Sequence, residues 1–406
     1  MGFLEKRIIE TIATVRTCRK TPVRLRCDLP VHASEAAAPV RLREALFSDF
    51  RDVEVLQRRC GLAPDSRQNW ERFWRRNPAL GGMQFEPPMG WVLEAEGKAV
   101  GYLGNISLLY RYGDRTLTAV AGRGFAVEPA YRAASFCLVA AFYRQRPVDL
   151  YLTTTASEVT GKIARAFKSN PLSQADFGTL FWVLRPYPFA QAVMTDLKIR
   201  PALKRMGGML ASVAIRADKI LRRRRPRQCA KSLAVSEIRV SEIGDDFQAL
   251  WIEKLRERPL LVFADRSPAT LRWHFESPDA AAVHVLCCYK HGELLGYAVT
   301  RNEQNRENGL RVSIIADMLV KQDDPVIVRS LWAAAYDHAK RDGSHILRVT
   351  GFPYGIRRFC SQWRPYLTTD PVCPFYYKAA EPMLHKTLSE GMAWYATALD
   401  GDRTLS

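Results

Sequence analysis

The residue types most able to do chemistry are dispersed along this 406-residue chain, and their spacing excludes more than it assigns. Nine cysteines (Cys18, Cys27, Cys60, Cys137, Cys229, Cys287, Cys288, Cys360 and Cys373) are odd in number and form no C-x-x-C pair. That usage fits reduced thiols, not a disulfide scaffold or a zinc site. The seven histidines show no H-E-x-x-H and no other metal-ligand spacing, so the sequence predicts no metal. Cys287-Cys288 falls in a predicted strand, where buried thiols are inert core residues. Asp400-Gly401-Asp402 has no further ligands near it in sequence and reads as a surface turn. Ala121-Gly122-Arg123-Gly124 puts two glycines inside a predicted strand, the mark of a bulge or a close backbone approach.

Charge is the next signal. The formal net charge is +18, which favours phosphate-bearing ligands, nucleic acid or an anionic membrane. Much of the surplus lies between Lys198 and Lys231, where Arg200, Lys204, Arg205, Arg216, Lys219, Arg222, Arg223, Arg224, Arg225 and Arg227 meet only Asp218. This tract lacks interleaved aromatics, which argues against a single-strand stacking surface. Its apolar positions Leu203, Met206, Leu210, Val213, Ala217 and Ile220 follow a three-four spacing from Pro201. The expectation is a linker helix whose stripe packs on a domain; the alternative is a membrane-surface or nucleic-acid-binding element. The apolar N-terminal residues Phe3, Leu4, Ile8, Ile9, Ile12 and Val15 are broken by charges, and Lys6 replaces the Ser/Thr of a myristoylation signal. They read as a short amphipathic helix on a basic arm, not as a secretory leader. With no long uncharged apolar run, the expected location is cytoplasmic, with peripheral membrane contact compatible.

The elements that position these residues show an internal repeat of about 200 residues, and two domains suit this length. Val40–Glu44 leading to Ser48-Asp49-Phe50 recurs as Ile238–Glu242 leading to Asp245-Asp246-Phe247, with Ser48 and Asp245 as candidate N-caps. Trp70, Phe73, Trp74 and Pro78 recur as Leu271, Trp273, Phe275 and Pro278. The hairpin Trp91–Leu103, turning at Gly97, recurs as Val283–Ala298, turning at Gly292. The strand Asp149–Thr154 recurs as His345–Thr350, and an aromatic strand closes each half at Phe181–Leu184 and Phe375–Tyr377. Each half therefore reads strand, two helices, hairpin-rich sheet, helix, strand, helix, last strand. The predicted organisation is a basic arm (1–39), a first domain (40–190), a basic helical linker (191–235) and a second domain (236–406).

The order of elements over residues 40–190 resembles the GNAT superfamily of acyl-CoA N-acyltransferases. The sharpest match is the strand Leu117–Val127, the turn Glu128–Arg132 and an apolar helix from about Ala133 to Tyr143. The resemblance implies an α/β (α+β) fold of two tandem GNAT-like domains, each a mixed central sheet flanked by helices. It implies acetyl-CoA or another acyl-CoA as co-substrate and a primary amine of a small molecule or amino sugar as acceptor. By the same resemblance Phe125, Ala126 and Val127 offer backbone groups to the pantetheine. Arg132, Ala133, Ala134 and Ser135 wrap the pyrophosphate, where a helix N-terminus attracts anions. Thr155 or Ser157 takes the polar position after the late strand. Here the family's two glycines of that turn are replaced by Ser135 and Cys137, and no tyrosine follows on the helix Gly161–Phe167. Amine acylation needs a proton acceptor and a proton donor. Glu86 in the Gly81–Gly90 loop, Glu94 beside the hairpin and Tyr151 on the late strand are the candidates, each also readable as a surface carboxylate or a core tyrosine. The second turn, Val320-Lys321-Gln322-Asp323-Asp324-Pro325, carries two carboxylates that repel a pyrophosphate, so the second copy reads as degenerate, with Asp323 or Asp324 as its helix cap. Tandem GNAT-like folds are also similar to FemAB-type aminoacyl transferases that use aminoacyl-tRNA; a non-catalytic binding or scaffold protein is the remaining alternative.

Overall fold

The computed structural model describes residues 39–172, 178–224, 233–276, 282–368, 375–390 and 393–405. Residues 1–38 of the basic arm, with Cys18 and Cys27, and also Cys229, Cys373, Arg225, Arg227, Lys231 and Pro278, lie outside the described residues. The expected class is observed: two mixed sheets, one of nine strands and one of seven, flanked by helices.

In the first half, β1 (Arg41–Glu44) leads to α1 (Phe50–Arg59) and α2 (Arg67–Trp74). Phe50, Val53 and Leu56 recur at helical spacing and form the buried face of α1. Ser66 caps α2 by accepting from the Asn69 N–H at 3.2 Å. Next come β2 (Gly90–Ala95), β3 (Lys98–Tyr112), β4 (Arg115–Val127), α3 (Ser135–Arg144), β5 (Leu150–Thr153), α4 (Glu158–Ala166), β6 (Asn170–Pro171) and β7 (Thr179–Val183). Two helices follow, α5 (Pro186–Asp196) and α6 (Pro201–Leu221).

The second half repeats the order. It contains β8 (Ala234–Ile238), α7 (Asp245–Glu257), β9 (Val262–Ala264), α8 (Pro268–Phe275), β10 (Val283–Lys290), β11 (Glu293–Gln304) and β12 (Arg311–Val320). Then come α9 (Pro325–Arg341), β13 (Ile346–Thr350), α10 (Tyr354–Ser361), β14 (Tyr366–Thr368), β15 (Tyr376–Ala379), α11 (Pro382–Ser389) and β16 (Trp394–Tyr395). The two hairpins share one turn: Glu96-Gly97 and His291-Gly292 all have positive φ, the two-residue form whose twist matches the strands. Asp324 caps α9 through the Val326 N–H at 2.6 Å, with Pro325 first in the helix, as expected. Ser48 and Asp245 do not cap. Ser48 lies inside a short 3-10 turn, and Asp245 is already the first residue of α7 behind Gly244.

The halves exchange their last strands. β7 pairs with β13 in the second sheet (Phe181 opposite Arg348), and β15 pairs with β5 in the first (Tyr377 opposite Leu152). β9 of the second half also joins the first sheet beside β3 and β16. One core consequently runs through both halves; Trp182 of β7 is fully buried edge-on to Trp332 of α9.

The expectation that the α6 stripe packs on a domain is corrected. Gly208, Ser212 and Ile215 face inward, whereas Leu203, Met206, Leu210, Val213, Ile220 and Leu221 are each more than half exposed. The inward face is the one with small residues, because α5 lies close against it; a Cβ on Gly208 would overlap the Gln191 amide.

Candidate functional site

The site is a crevice in the first sheet. β4 and β5 run parallel and pair only over Ala119–Ala121 with Leu150–Leu152. β5 stops at Thr153, while β4 continues through Gly122 to Val127, so the β4 edge beyond Ala121 is not paired by β5. A bulge opens the same stretch: Tyr102 pairs with Ala126 and Gly104 with Arg123, leaving Gly124 and Phe125 opposite Leu103 alone. Gly124 sits at φ +66°, and a side chain there would strike Gln57, whose amide donates to the Gly124 carbonyl at 3.3 Å. Of the two glycines read from sequence as a bulge or a close backbone approach, Gly124 lies in the bulge, while Gly122 pairs in register with Asn105.

At the mouth of the crevice Arg123 binds Asp65 through two hydrogen bonds of 2.5 and 3.1 Å and approaches the Asp402 carboxylate at 3.5 Å. Asp402 accepts from Thr154 Oγ1 at 2.7 Å and from Thr155 Oγ1 at 3.3 Å. Burial opposes the charge on Arg123, yet Asp65 and Asp402 outweigh it and hold the guanidinium above its ordinary value. The Tyr102 hydroxyl is buried against Gly104 and has no hydrogen-bond partner among the described residues; that burial raises its pKa well above the usual range. At the far end, β4 passes through the 3-10 turn Pro129–Ala134 into α3. No side chain caps α3, its first turn carries no acid, and Arg132, Ala133 and Cys137 are exposed beside it.

The matching crevice of the second sheet is filled. β12 pairs with β13 over Val312–Ile315 and then diverges, but the chain's own tail occupies the gap. Leu399 N–H donates to the Ala316 carbonyl at 3.1 Å, Tyr395 Oη to the Met318 carbonyl at 2.7 Å, and Thr397 Oγ1 to Asp317 at 2.8 Å. Behind it Arg266, fully buried, pairs with Asp317 at 3.0 Å. In the turn, Asp323 is neutralised by Lys254 at 2.7 Å and Arg258 at 2.9 Å. The tail then continues to Asp402 in the first crevice. Asp400 and Asp402 are 2% and 3% exposed, so the surface turn expected at Asp400-Gly401-Asp402 is instead a buried plug.

The sequence-predicted residues separate accordingly. Phe125, Ala126 and Val127 line the unpaired β4 edge, Arg132, Ala133 and Ala134 form the turn, and Ser135 opens α3. Thr155 lies at the mouth. Ser157 is committed to capping α4, accepting from the Thr160 N–H at 3.2 Å. Tyr151 is buried among Phe142 and Tyr143, and its hydroxyl donates to the Gln145 carbonyl at 2.7 Å, at the opposite end of α3 from the turn. Glu94 is two strands away on β2, paired with Arg43 at 2.8 Å. Glu86 is exposed in the loop before β2. Sequence reasoning did not bring Asp65, Tyr102, Arg123 and Asp402 together at this crevice. The one available signal was Arg123 between two glycines.

No family model matches the sequence, and none of the curated proteins does. Solved structures do resemble the whole molecule. A conserved protein of unknown function from Enterococcus faecalis, a probable N-acyltransferase, superposes with TM-score 0.55 at 8% identity, covering 87% of this chain and 75% of its own. Saccharomyces cerevisiae N-myristoyltransferase with bound myristoyl-CoA gives 0.50 at 10% identity, covering 86% and 84%. A GCN5-related N-acetyltransferase from Anabaena variabilis gives 0.50 at 12%, covering 84% and 73%. The chain has the GNAT fold. At these identities the likeness is one of fold, and the diverging β4 and β5 are the GNAT-fold feature on which any activity must be argued from this chain's own residues.

Proposed function

We propose that the protein is an acyl-CoA-dependent N-acyltransferase, working in the β4–β5 crevice on a primary amine of a small molecule or amino sugar. We further read the chain as two GNAT copies of which only the first is functional. The observation that carries this is the contrast between the crevices: in the first, the tail reaches Asp402 beside Arg123 but among the described residues the β4 edge Gly122–Val127 is left unpaired by β5 and leads to a helix that no side chain caps, while the second is closed by Tyr395–Leu399. The residues present fit an acyl-CoA. The Phe125–Val127 edge that faces away from β3 and is not paired by β5 suits the amides of a pantetheine arm. Arg132 and the N-terminal turn of α3, which no side chain caps, suit its phosphates, with the small Ala133, Ala134 and Ser135 permitting close approach. Backbone N–H groups of the bulge polarise the thioester carbonyl. Asp65, which keeps partial exposure beside Arg123, receives the proton of the attacking amine, and Asp402 with Thr154 and Thr155 fixes Arg123. Tyr102, protonated and with no hydroxyl partner among the described residues, is the group we assign as donor to the leaving thiolate.

Thermal unfolding with acetyl-CoA and longer acyl-CoAs, on the wild type and an Arg132→Glu variant, tests this. Ligand at about 100 times its dissociation constant adds about 2.7 kcal/mol to the folded state. A shift present in the wild type and absent in the variant is expected; no shift with any acyl-CoA overturns the reading and turns attention to aminoacyl-tRNA.

We also propose that α6 seats the protein on an anionic membrane. No helix among the described residues is long and apolar enough to cross one. The exposed apolar face of α6 is bordered by exposed Arg205, Arg216 and Arg223, a pairing that suits a helix lying in the plane of an acidic lipid surface. Co-sedimentation with phosphatidylglycerol-containing vesicles, weakened by salt and lost in Leu210→Glu/Val213→Glu, is expected. Equal binding by that variant overturns it.

A further inference from the structure

Outside both crevices, two histidines converge from elements distant in sequence. His284 lies on β10 and His338 in the last turns of α9; Glu237 is on the edge strand β8, and Asp342 follows α9. The two imidazole rings are 4.1 Å apart, centre to centre. Glu237 Oε1 is 2.6 Å from His284 Nδ1, and its Oε2 is 2.9 Å from His338 Nε2. On the opposite side Asp342 Oδ2 is 3.1 Å from His284 Nε2 and 3.2 Å from His338 Nδ1. Asp342 Oδ2 also accepts from Asn302 Nδ2 at 3.2 Å. Each imidazole thus stands between two carboxylates.

That arrangement sets four ring nitrogens against carboxylate oxygens. A neutral imidazole carries one N–H and one lone pair. Two neutral rings supply two protons to four nitrogen–carboxylate contacts, so two lone pairs are left facing carboxylate oxygens. His284 Nε2 is buried and makes no aligned hydrogen bond although it lies 3.1 Å from Asp342. Either two further protons or one divalent cation balances the cluster. The geometry favours the cation, because metal-bound histidines characteristically direct the other ring nitrogen to a carboxylate. Asp342, itself held by Asn302, stands in that position for both rings. It leaves His284 Nδ1, His338 Nε2 and the Glu237 carboxylate facing one another, with all three ligand atoms within 4.8 Å.

We propose that Glu237, His284 and His338 form a site for a divalent transition ion of the zinc class, with Asp342 as the residue that orients both imidazoles. Two imidazoles and a carboxylate suit Zn²⁺, Co²⁺ or Ni²⁺ and leave a position for water. Bonds of about 2.0–2.2 Å require the Glu237 carboxylate to draw back from the two rings, and its side chain is 44% exposed. The bound ion clips β8 to α9 and β10, fastening the strand where the chain re-enters the second sheet. Residue spacing hid the site, since its three ligands come from three elements.

The test is Co²⁺ titration of the full chain after chelator treatment, read by visible absorption. One ion per chain is expected, with ligand-field bands but no near-ultraviolet thiolate charge-transfer band, and a rise in unfolding temperature on binding. His284→Gln and Glu237→Gln, which keep shape and some hydrogen bonding, are expected to abolish the spectrum while retaining the native circular dichroism. Asp342→Asn is expected to weaken affinity about 10- to 100-fold. Absence of binding, a thiolate band, or a spectrum unchanged in both Gln variants overturns the proposal.

Discussion

The buried tail gives the sharpest test of the architecture, through Gly401. This residue has φ +75°, and a Cβ built there would lie 2.8 Å from Thr154 Cβ and closer still to its Oγ1 and Cγ2. Thr154 is buried, and its hydroxyl is already committed to Asp402, so it has no open direction in which to move. Gly401→Ala therefore combines two costs. The left-handed backbone costs an L-residue about 1–2 kcal/mol. Overpacking against Thr154 adds about 1–3 kcal/mol. Gly292→Ala is the internal control: its φ is +84°, but nothing lies within 4 Å of the added Cβ. It incurs the first cost only. Chemical denaturation of the two variants beside the wild type should show Gly401→Ala less stable than Gly292→Ala by about 1–3 kcal/mol. Equal losses in the two would refute the docking of the tail between the sheets. Because the same displacement would pull Asp402 away from Arg123, Gly401→Ala is also expected to weaken acyl-CoA stabilisation, whereas Gly292→Ala is not.

The buried titratable groups predict opposite pH slopes. Burial pushes the Asp400 carboxyl up from 3.8 to about 6, so between those values the native state keeps a proton that the unfolded chain releases. Its contribution to stability grows as pH falls from about 6 and is lost as pH rises through it, at about 1.4 kcal/mol per unit; Asp400→Asn should remove that slope. Burial, with Arg72 and Arg266 nearby, holds His274 down from 6.5 to about 3. Below pH 6.5 the unfolded chain takes a proton that native His274 refuses, so stability falls on acidification, and His274→Gln should relieve the loss. Urea midpoints between pH 4 and 7 that tilt the same way in both variants would contradict these environments. Arg266→Met leaves Asp317 and Asp400 buried without their cation and is expected to cost about 3–5 kcal/mol at pH 7, measured by denaturation. Residues 39–184 expressed alone lack β15 and leave β7 without β13; calorimetry should show no cooperative transition, and a sharp one would refute the strand exchange as a stability requirement.

The sequence by itself determined what short-range physics specifies. Alternating apolar residues and the Gly97 and Gly292 turns made the hairpins readable, and helical spacing at Phe50, Val53 and Leu56 gave α1 its buried face. Asp324-Pro325 announced the start of α9, and Arg123 between glycines announced the bulge, because each signal acts within a few residues. The order of elements, and with it the class of fold, followed. Tertiary structure alone decided which sheet each closing strand joins. β7 and β15 are interchangeable as apolar strands, and only the packing of Trp182 on Trp332 and of Tyr377 beside Trp394 separates them. It also decided that Asp400-Gly401-Asp402 is a core segment. A short polar turn carries no mark of burial until Arg123, Thr154 and Tyr110 arrive from more than 240 residues away to satisfy it. The same holds for Glu237, His284 and His338, and, in reverse, for α6, whose apolar stripe looked like core but is left exposed among the described residues. Local propensity fixes elements, whereas burial and charge compensation are settled between partners that only the folded chain brings together.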